Sequence, residues 1–198
     1  MADRVSDTGA DGLKDALLLV DVINDFRHED GEKLLASFRD RLDGLTAAIS
    51  RARDAGIPVV YANDNWGDWD GDKDRLVREA LGGLGRDVVE ALAPREGDRF
   101  VVKPRYSGFD HTPLELILRD LETDRILLAG AATEGCVVQT AIDGRELGFK
   151  ITVLAEACAS PDARLEKVAL TYLEEVVAAR VERATLRGRG AGRGRAPC

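Results

Sequence analysis

The stretch GAATEGCVVQT, residues 130–140, follows the apolar run RILLA and leads into a segment with helical character. A cysteine at such a strand-to-helix turn has access to solvent and little packing value. At the first turn of a helix, unpaired N–H groups and the positive end of the helix dipole favour a thiolate over a thiol. The same amides can face an oxyanion, and Gly130 and Gly135 bracket the turn so that it can fold tightly. A thiol nucleophile also needs a proton acceptor and a neighbouring positive charge. Asp21 in DVINDF and Lys103 in VVKPRYSGF supply them. Taken singly, the three have ordinary roles as a loop cap, a surface lysine and a small buried hydrophobe. Together they are harder to dismiss, because they supply all three parts of an activated thiol nucleophile.

What must position them is a set of short apolar runs alternating with longer periodic segments. The runs Ala16-Leu-Leu-Leu-Val20, Ile57-Pro-Val-Val-Tyr61, Phe100-Val-Val-Lys103, Ile126-Leu-Leu-Ala129 and Ile151-Thr-Val-Leu154 read as strands buried on both faces. Leu34, Phe38, Leu42, Leu45, Ile49 and Ala52 repeat at helical spacing until Gly56-Ile-Pro58 ends the helix. Thr112-Pro-Leu-Glu115 reads as a capping box with proline at the first helical position. Ser160-Pro-Asp opens a last helix whose apolar face is Leu165, Val168, Tyr172 and Val176. Alternating strands and helices predict right-handed crossovers and a three-layer α/β/α sandwich, with its site at the carboxyl ends of the strands. Asp21, Lys103 and Cys136 all fall there.

A chain of 198 residues with 44% hydrophobic content supports one domain, expected over 14–182. Residues 1–13 are polar and read as a flexible segment; 183–198 form an Arg/Gly-rich basic tail expected to be disordered. The net charge is −8, and setting aside the five arginines from Arg183 onward leaves −13 on residues 1–182. So acidic a body argues against a nucleic-acid partner. No apolar run is long enough for a membrane span, the N-terminus has no signal-peptide core, and the expected compartment is the cytoplasm. Cys136, Cys158 and Cys198 make no disulfide framework, and with only His28 and His111 a Cys/His zinc site is excluded. Cys158 reads as packing and Cys198 as an exposed terminal thiol.

With these residues in view, the sequence resembles the isochorismatase-like cysteine hydrolases, which include nicotinamidases and N-carbamoylsarcosine amidohydrolases. The carriers are LLLVDVINDF, VVKPRYSGFDHTPLELIL and LAGAATEGCVVQTA, in order over about 16–177. The resemblance implies a six-stranded, mainly parallel sheet and a triad of Asp21, Lys103 and Cys136. It further implies a cis peptide between Ala131 and Ala132, and an oxyanion hole from the N–H groups of Ala132 and Cys136. A homo-oligomer, dimer or tetramer, is implied as well.

Departures narrow the expectation. Metal-dependent nicotinamidases carry an acid followed by histidines after the second strand. Here that region is Asn63-Asp-Asn-Trp-Gly-Asp-Trp69, with Asp64 at the acid and Trp66 where the first histidine would stand. No catalytic metal and no cofactor are expected. Isochorismatases that cleave vinyl ethers lack the cysteine, so Cys136 points to C–N bond hydrolysis of a small amide, carbamoyl compound or imide. Asn24, Phe26, Asn65, Trp66, Tyr106 and Phe109 are the expected substrate contacts, with His111 near the mouth and Glu156 in a structural role. Two other classes stay open: a non-catalytic member acting through an assembly surface and its basic tail, and a nucleotide binder. The run Gly82-Gly-Leu-Gly85 fits neither a dinucleotide nor a P-loop pattern, which counts against the latter.

Overall fold

Six parallel strands form one sheet in the order β3-β2-β1-β4-β5-β6. The structure, a computed structural model, describes residues 12–67 and 71–183. The expected tail from residue 184, with Cys198, and residues 1–11 of the N-terminal segment lie outside the described residues. The strands are β1 (Asp15–Val20), β2 (Val59–Asp64), β3 (Arg99–Lys103), β4 (Arg125–Ala131), β5 (Lys150–Ala159) and β6 (Arg180–Glu182). The helices are α1 (Gly31–Asp54), α2 (Lys73–Leu81), α3 (Arg86–Leu92), α4 (Leu114–Asp120), α5 (Val138–Glu146) and α6 (Ala163–Glu175).

β1 explains the layering. All six of its residues are buried, and alternate side chains enter opposite layers. Leu17 and Leu19 join the core under α1 and α3, with Phe38, Leu45 and Val88. Ala16, Leu18 and Val20 join the core under α4 and α5, with Leu118, Ile126 and Ala141. Burying each leucine fully stabilises the fold by roughly 1.5–3 kcal/mol, so a one-residue slip of register would be costly on both faces. The one charge in the strand, Asp15, is held by both guanidinium branches of Arg125 at 2.7 and 2.8 Å.

The sheet order reverses between β1 and β4, which pair directly from Asp15↔Arg125 to Val20↔Gly130. Such a reversal leaves a crevice at the carboxyl ends. The two strands close tightly there. A Cβ on Gly130 would meet the Val20 carbonyl oxygen at 2.0 Å, and its φ of +117° suits glycine alone.

Three expectations are corrected. The segment at residue 112 is not a capping box: α4 begins at Leu114, and the Thr112 hydroxyl accepts from the Leu114 N–H while donating to the Gly108 carbonyl. On α6, Leu165, Val168, Tyr172 and Val176 face outward, and the buried residues are Glu166, Ala169 and Leu173. That helix seats by Ala169 and Leu173, with Leu170 against the core, and by Glu166, which reaches Arg41 and Thr133. The second strand starts two residues later than expected and runs on to Asp64, and β5 continues through Ala159.

Candidate active site

Asp21 is the first residue past β1, with a left-handed φ of +51° that an aspartate tolerates better than most side chains. Its N–H stays in register by donating to the Ala62 carbonyl at 3.0 Å. One carboxylate oxygen accepts from the Asp64 N–H at 2.7 Å and the other from Lys103 Nζ at 2.8 Å. Lys103 ends the edge strand β3 and is only 1% exposed. Its ammonium also donates to the Arg105 carbonyl at 2.9 Å and lies 3.4 Å from Cys136 Sγ. Three protons meet three acceptors, so the charge is pinned between carboxylate and sulfur.

Cys136 lies past β4 in a π-helical turn, Thr133–Val137, that follows a cis peptide between Ala131 and Ala132. The N–H groups of Gly135 and Val137 donate to the Ala132 carbonyl at 3.0 and 3.2 Å, and α5 begins only at Val138. The structure therefore corrects the expected first α-helical turn to a wider π turn. Gly130 is sterically required, as its contact with Val20 shows; Gly135 is not, because a Cβ there would meet nothing.

Burial works against the expected thiolate. Burial first, and the negative charge of Asp21 second, push the Cys136 thiol up to about 12, against the opposing pull of Lys103. Burial also raises the Asp21 carboxyl, with the Lys103 charge only partly offsetting it. For Lys103, burial alone would lower the ammonium, but the charges and hydrogen bonds of Asp21 and Cys136 outweigh it and the net shift is upward.

The turn is braced from behind. The Thr133 hydroxyl lies 3.1 Å from the Ala159 carbonyl and 3.4 Å from Glu166 Oε1. Arg41 on α1 holds Glu166 at 3.4 Å, donates to the Cys158 carbonyl at 3.2 Å and pairs with Glu156 at 3.9 Å. Glu156 is thus tied to α1 and is absent from the cleft lining. Cys158 is fully buried, and burial pushes its thiol up to about 12 as well.

These groups line a cleft of about 710 Å³. Of the six expected substrate contacts, Asn24, Trp66 and Tyr106 line it. The other three are turned elsewhere. Phe26, at φ +58°, points into the core edge-on to Phe38, its ring against Gly85, where any Cβ would strike it at 2.3 Å. Asn65 is buried and its side-chain oxygen accepts from the Gly67 N–H at 2.9 Å. Phe109 stacks on Phe149, 6.1 Å between centroids. His111 is exposed and contacts Asp110 instead. The sequence reading missed Arg27, His28, Asn63 and Arg105, which do line the cleft. Asn63 was within the quoted strand end, and Arg27 and His28 follow DVINDF directly; position next to a motif was the available signal.

The end of β2 does not fit a transition metal. Asp64 Oδ2 accepts from the Trp66 N–H at 2.8 Å, and the Asn63 side chain spans the Ile23 N–H and carbonyl at 2.9 Å each. Asn65 is likewise engaged, its side-chain oxygen accepting from the Gly67 N–H. Among the described residues no three His, Cys, Asp or Glu side chains cluster to hold a metal ion.

Comparison with known proteins follows from this geometry. The family model described as Isochorismatase domain matches residues 15–185. An isochorismatase-family protein of Bacillus subtilis, YaaI, is 31% identical over 166 residues, covering 84% of this chain and 92% of its own. The ureidoacrylate amidohydrolase RutB of Klebsiella pneumoniae is 31% identical over 169 residues, 72% of each chain. Among solved structures, the nicotinamidase of Staphylococcus aureus superposes with a TM-score of 0.70 at 26% identity, covering 86% of this chain and 99% of that one. The N-carbamoylsarcosine amidase of Thermoplasma acidophilum gives 0.66 at 29% identity, covering 86% and 96%.

Proposed function

Since the chain belongs to the isochorismatase family, we propose that it is a cysteine hydrolase that cleaves a C–N bond of a small amide, carbamoyl compound or imide through a covalent intermediate on Cys136. The observation that carries this reading is the single ammonium of Lys103 held 2.8 Å from the Asp21 carboxylate and 3.4 Å from the Cys136 sulfur, inside the cleft. The names of relatives and structural neighbours, an ureidoacrylate amidohydrolase, a nicotinamidase and an N-carbamoylsarcosine amidase, support the same bond type.

Asp21 takes the thiol proton as sulfur bonds to the carbonyl carbon, and the carbonyl π electrons move to oxygen. A carboxylate made more basic by burial suits that task, and a thiol that ionises only as it attacks avoids a buried resting thiolate. The N–H groups of Ala132 and Cys136 hold the oxyanion. Collapse breaks the C–N bond, and the Asp21 proton goes to the leaving nitrogen. Water then adds to the thioester with Asp21 again accepting a proton, the C–S bond breaks, and the thiol is restored. Lys103 keeps its charge throughout.

Trp66 and Tyr106 line the cleft around a flat substrate, and Asn24 and Asn63 add amide groups to its lining. Arg27 and Arg105 line the same cleft, together with the carboxylates of Asp25 and Asp64, so the lining carries both signs of charge and both neutral and acidic members of this class belong in the test. The experiment is a hydrolysis screen of neutral amides against carbamoyl and ureido acids. Cys136→Ala, Asp21→Asn and Lys103→Ala should each lose nearly all turnover on whatever substrate is found. Substantial activity in Cys136→Ala would overturn the covalent mechanism.

A further inference from the structure

The outward face of α6 has no role in the site. Leu165, Val168, Tyr172 and Val176 recur at spacings of three, four and four residues and are 43%, 62%, 42% and 64% exposed. At 100° per residue they form one narrow stripe, about 16 Å long. Neither apolar core includes them. Such a periodic stripe is the pattern of a helix that packs on something, yet among the described residues nothing covers it.

The charges beside the stripe indicate what does. Arg164 and Glu175 are eleven residues apart and so lie within about 20° of one another on the helix, on the solvent-side flank of the stripe. Both are exposed, and among the described residues the Arg164 guanidinium pairs with Asp162, at 3.6 Å. One end of the flank is positive and the other negative. Two such helices side by side in the same direction would set like charges together, whereas an antiparallel pair sets opposite charges together.

We propose that the α6 face is a twofold interface between two copies of this chain, with their α6 helices antiparallel and the axis passing between them at the level of Val168 and Tyr172. Val168 then faces Tyr172 of the partner subunit, Leu165 faces Val176 of the partner subunit, and Arg164 faces Glu175 of the partner subunit. The contact is isologous, so each pairing occurs twice. The stripe supplies the apolar centre and the Arg164–Glu175 pairs the rim, the usual distribution in a protein interface. The opposite face of α6 carries Glu166 to the Thr133 turn, so none of these substitutions touches the catalytic groups.

Sedimentation across a concentration series tests this. The full chain should be dimeric, or a tetramer containing this dimer. Val168→Glu combined with Tyr172→Glu should weaken the association at least about tenfold, because two charges enter its apolar centre. Arg164→Glu alone and Glu175→Arg alone should each weaken it, and the double reversal should restore it. Circular dichroism melts control for folding, and all of these positions are exposed in the single copy. A chain that stays monomeric throughout overturns the proposal. So does an oligomer indifferent to Val168→Glu with Tyr172→Glu, or a double reversal that fails to rescue.

Discussion

Burial and the charge of Asp21 hold the Cys136 thiol up at about 12, so the proposed attack relies on a base beside it. In a Cys198→Ala background, alkylation of Cys136 by iodoacetamide should still be accelerating past pH 9; a plateau near pH 8 would mean a resting thiolate. In the proposed mechanism Asp21 must be ionised, and burial raises its carboxyl above the ordinary 3.8. The acid limb of kcat/KM should therefore rise through a value above 3.8. The same shift costs stability as pH rises through that window, because the folded chain holds the proton more tightly than the unfolded one. Lys103→Ala leaves the Asp21 charge buried and unpaired, so it should lose about 3–5 kcal/mol of stability along with turnover, read from denaturant melts. That Asp21, Lys103 and Cys136 come together was legible because each stands at, or in the turn just past, the end of an apolar run. The direction of Phe26 was not, because it depends on a left-handed backbone in the loop after β1, and the acidity of the thiol was not, because it depends on burial.

Strands and the long helix were legible from apolar runs and from the repeat of Leu34 through Ala52, while α2, α3 and β6 were not assigned from the residues. β6 has three residues, too few for a pattern, and α2 buries only Leu76 and Ala80. On α6 the stripe was read correctly as a stripe and assigned to the wrong surface, since periodicity gives a face without saying what meets it. The crossing of β1 and β4 makes a specific forecast. Gly130→Ala would drive a Cβ into the Val20 carbonyl and should lower the melting temperature sharply or prevent folding, whereas Gly135→Ala should melt as the parent does. The brace behind the turn makes another. Glu166→Ala removes the partner of Arg41 and Thr133, and should lower kcat with less effect on KM, because it loosens the turn that carries Cys136 without entering the cleft.

Across the whole molecule, the parallel sheet reverses its order between β1 and β4, and the three reactive groups converge at that reversal from β1, β3 and the turn after β4. Alternating strands and helices made this architecture legible in the sequence, and the three motifs made the family legible; the cleft-lining Arg27, His28 and Arg105 became visible only once the loops were folded over the sheet. Among the described residues no helix is long and apolar enough to cross a membrane. The basic tail lies far along the chain from every one of these groups. Deleting residues 184–198 should leave kcat and KM unchanged, and loss of turnover would give the tail a part in the enzyme. The covalent step is tested most directly by quenching the enzyme in acid during turnover and weighing the intact protein. The mechanism predicts a fraction of chains heavier by the acyl group, mapping to the Cys136 peptide and absent in Cys136→Ala. Turnover with no such adduct, and undiminished in Cys136→Ala, would contradict it.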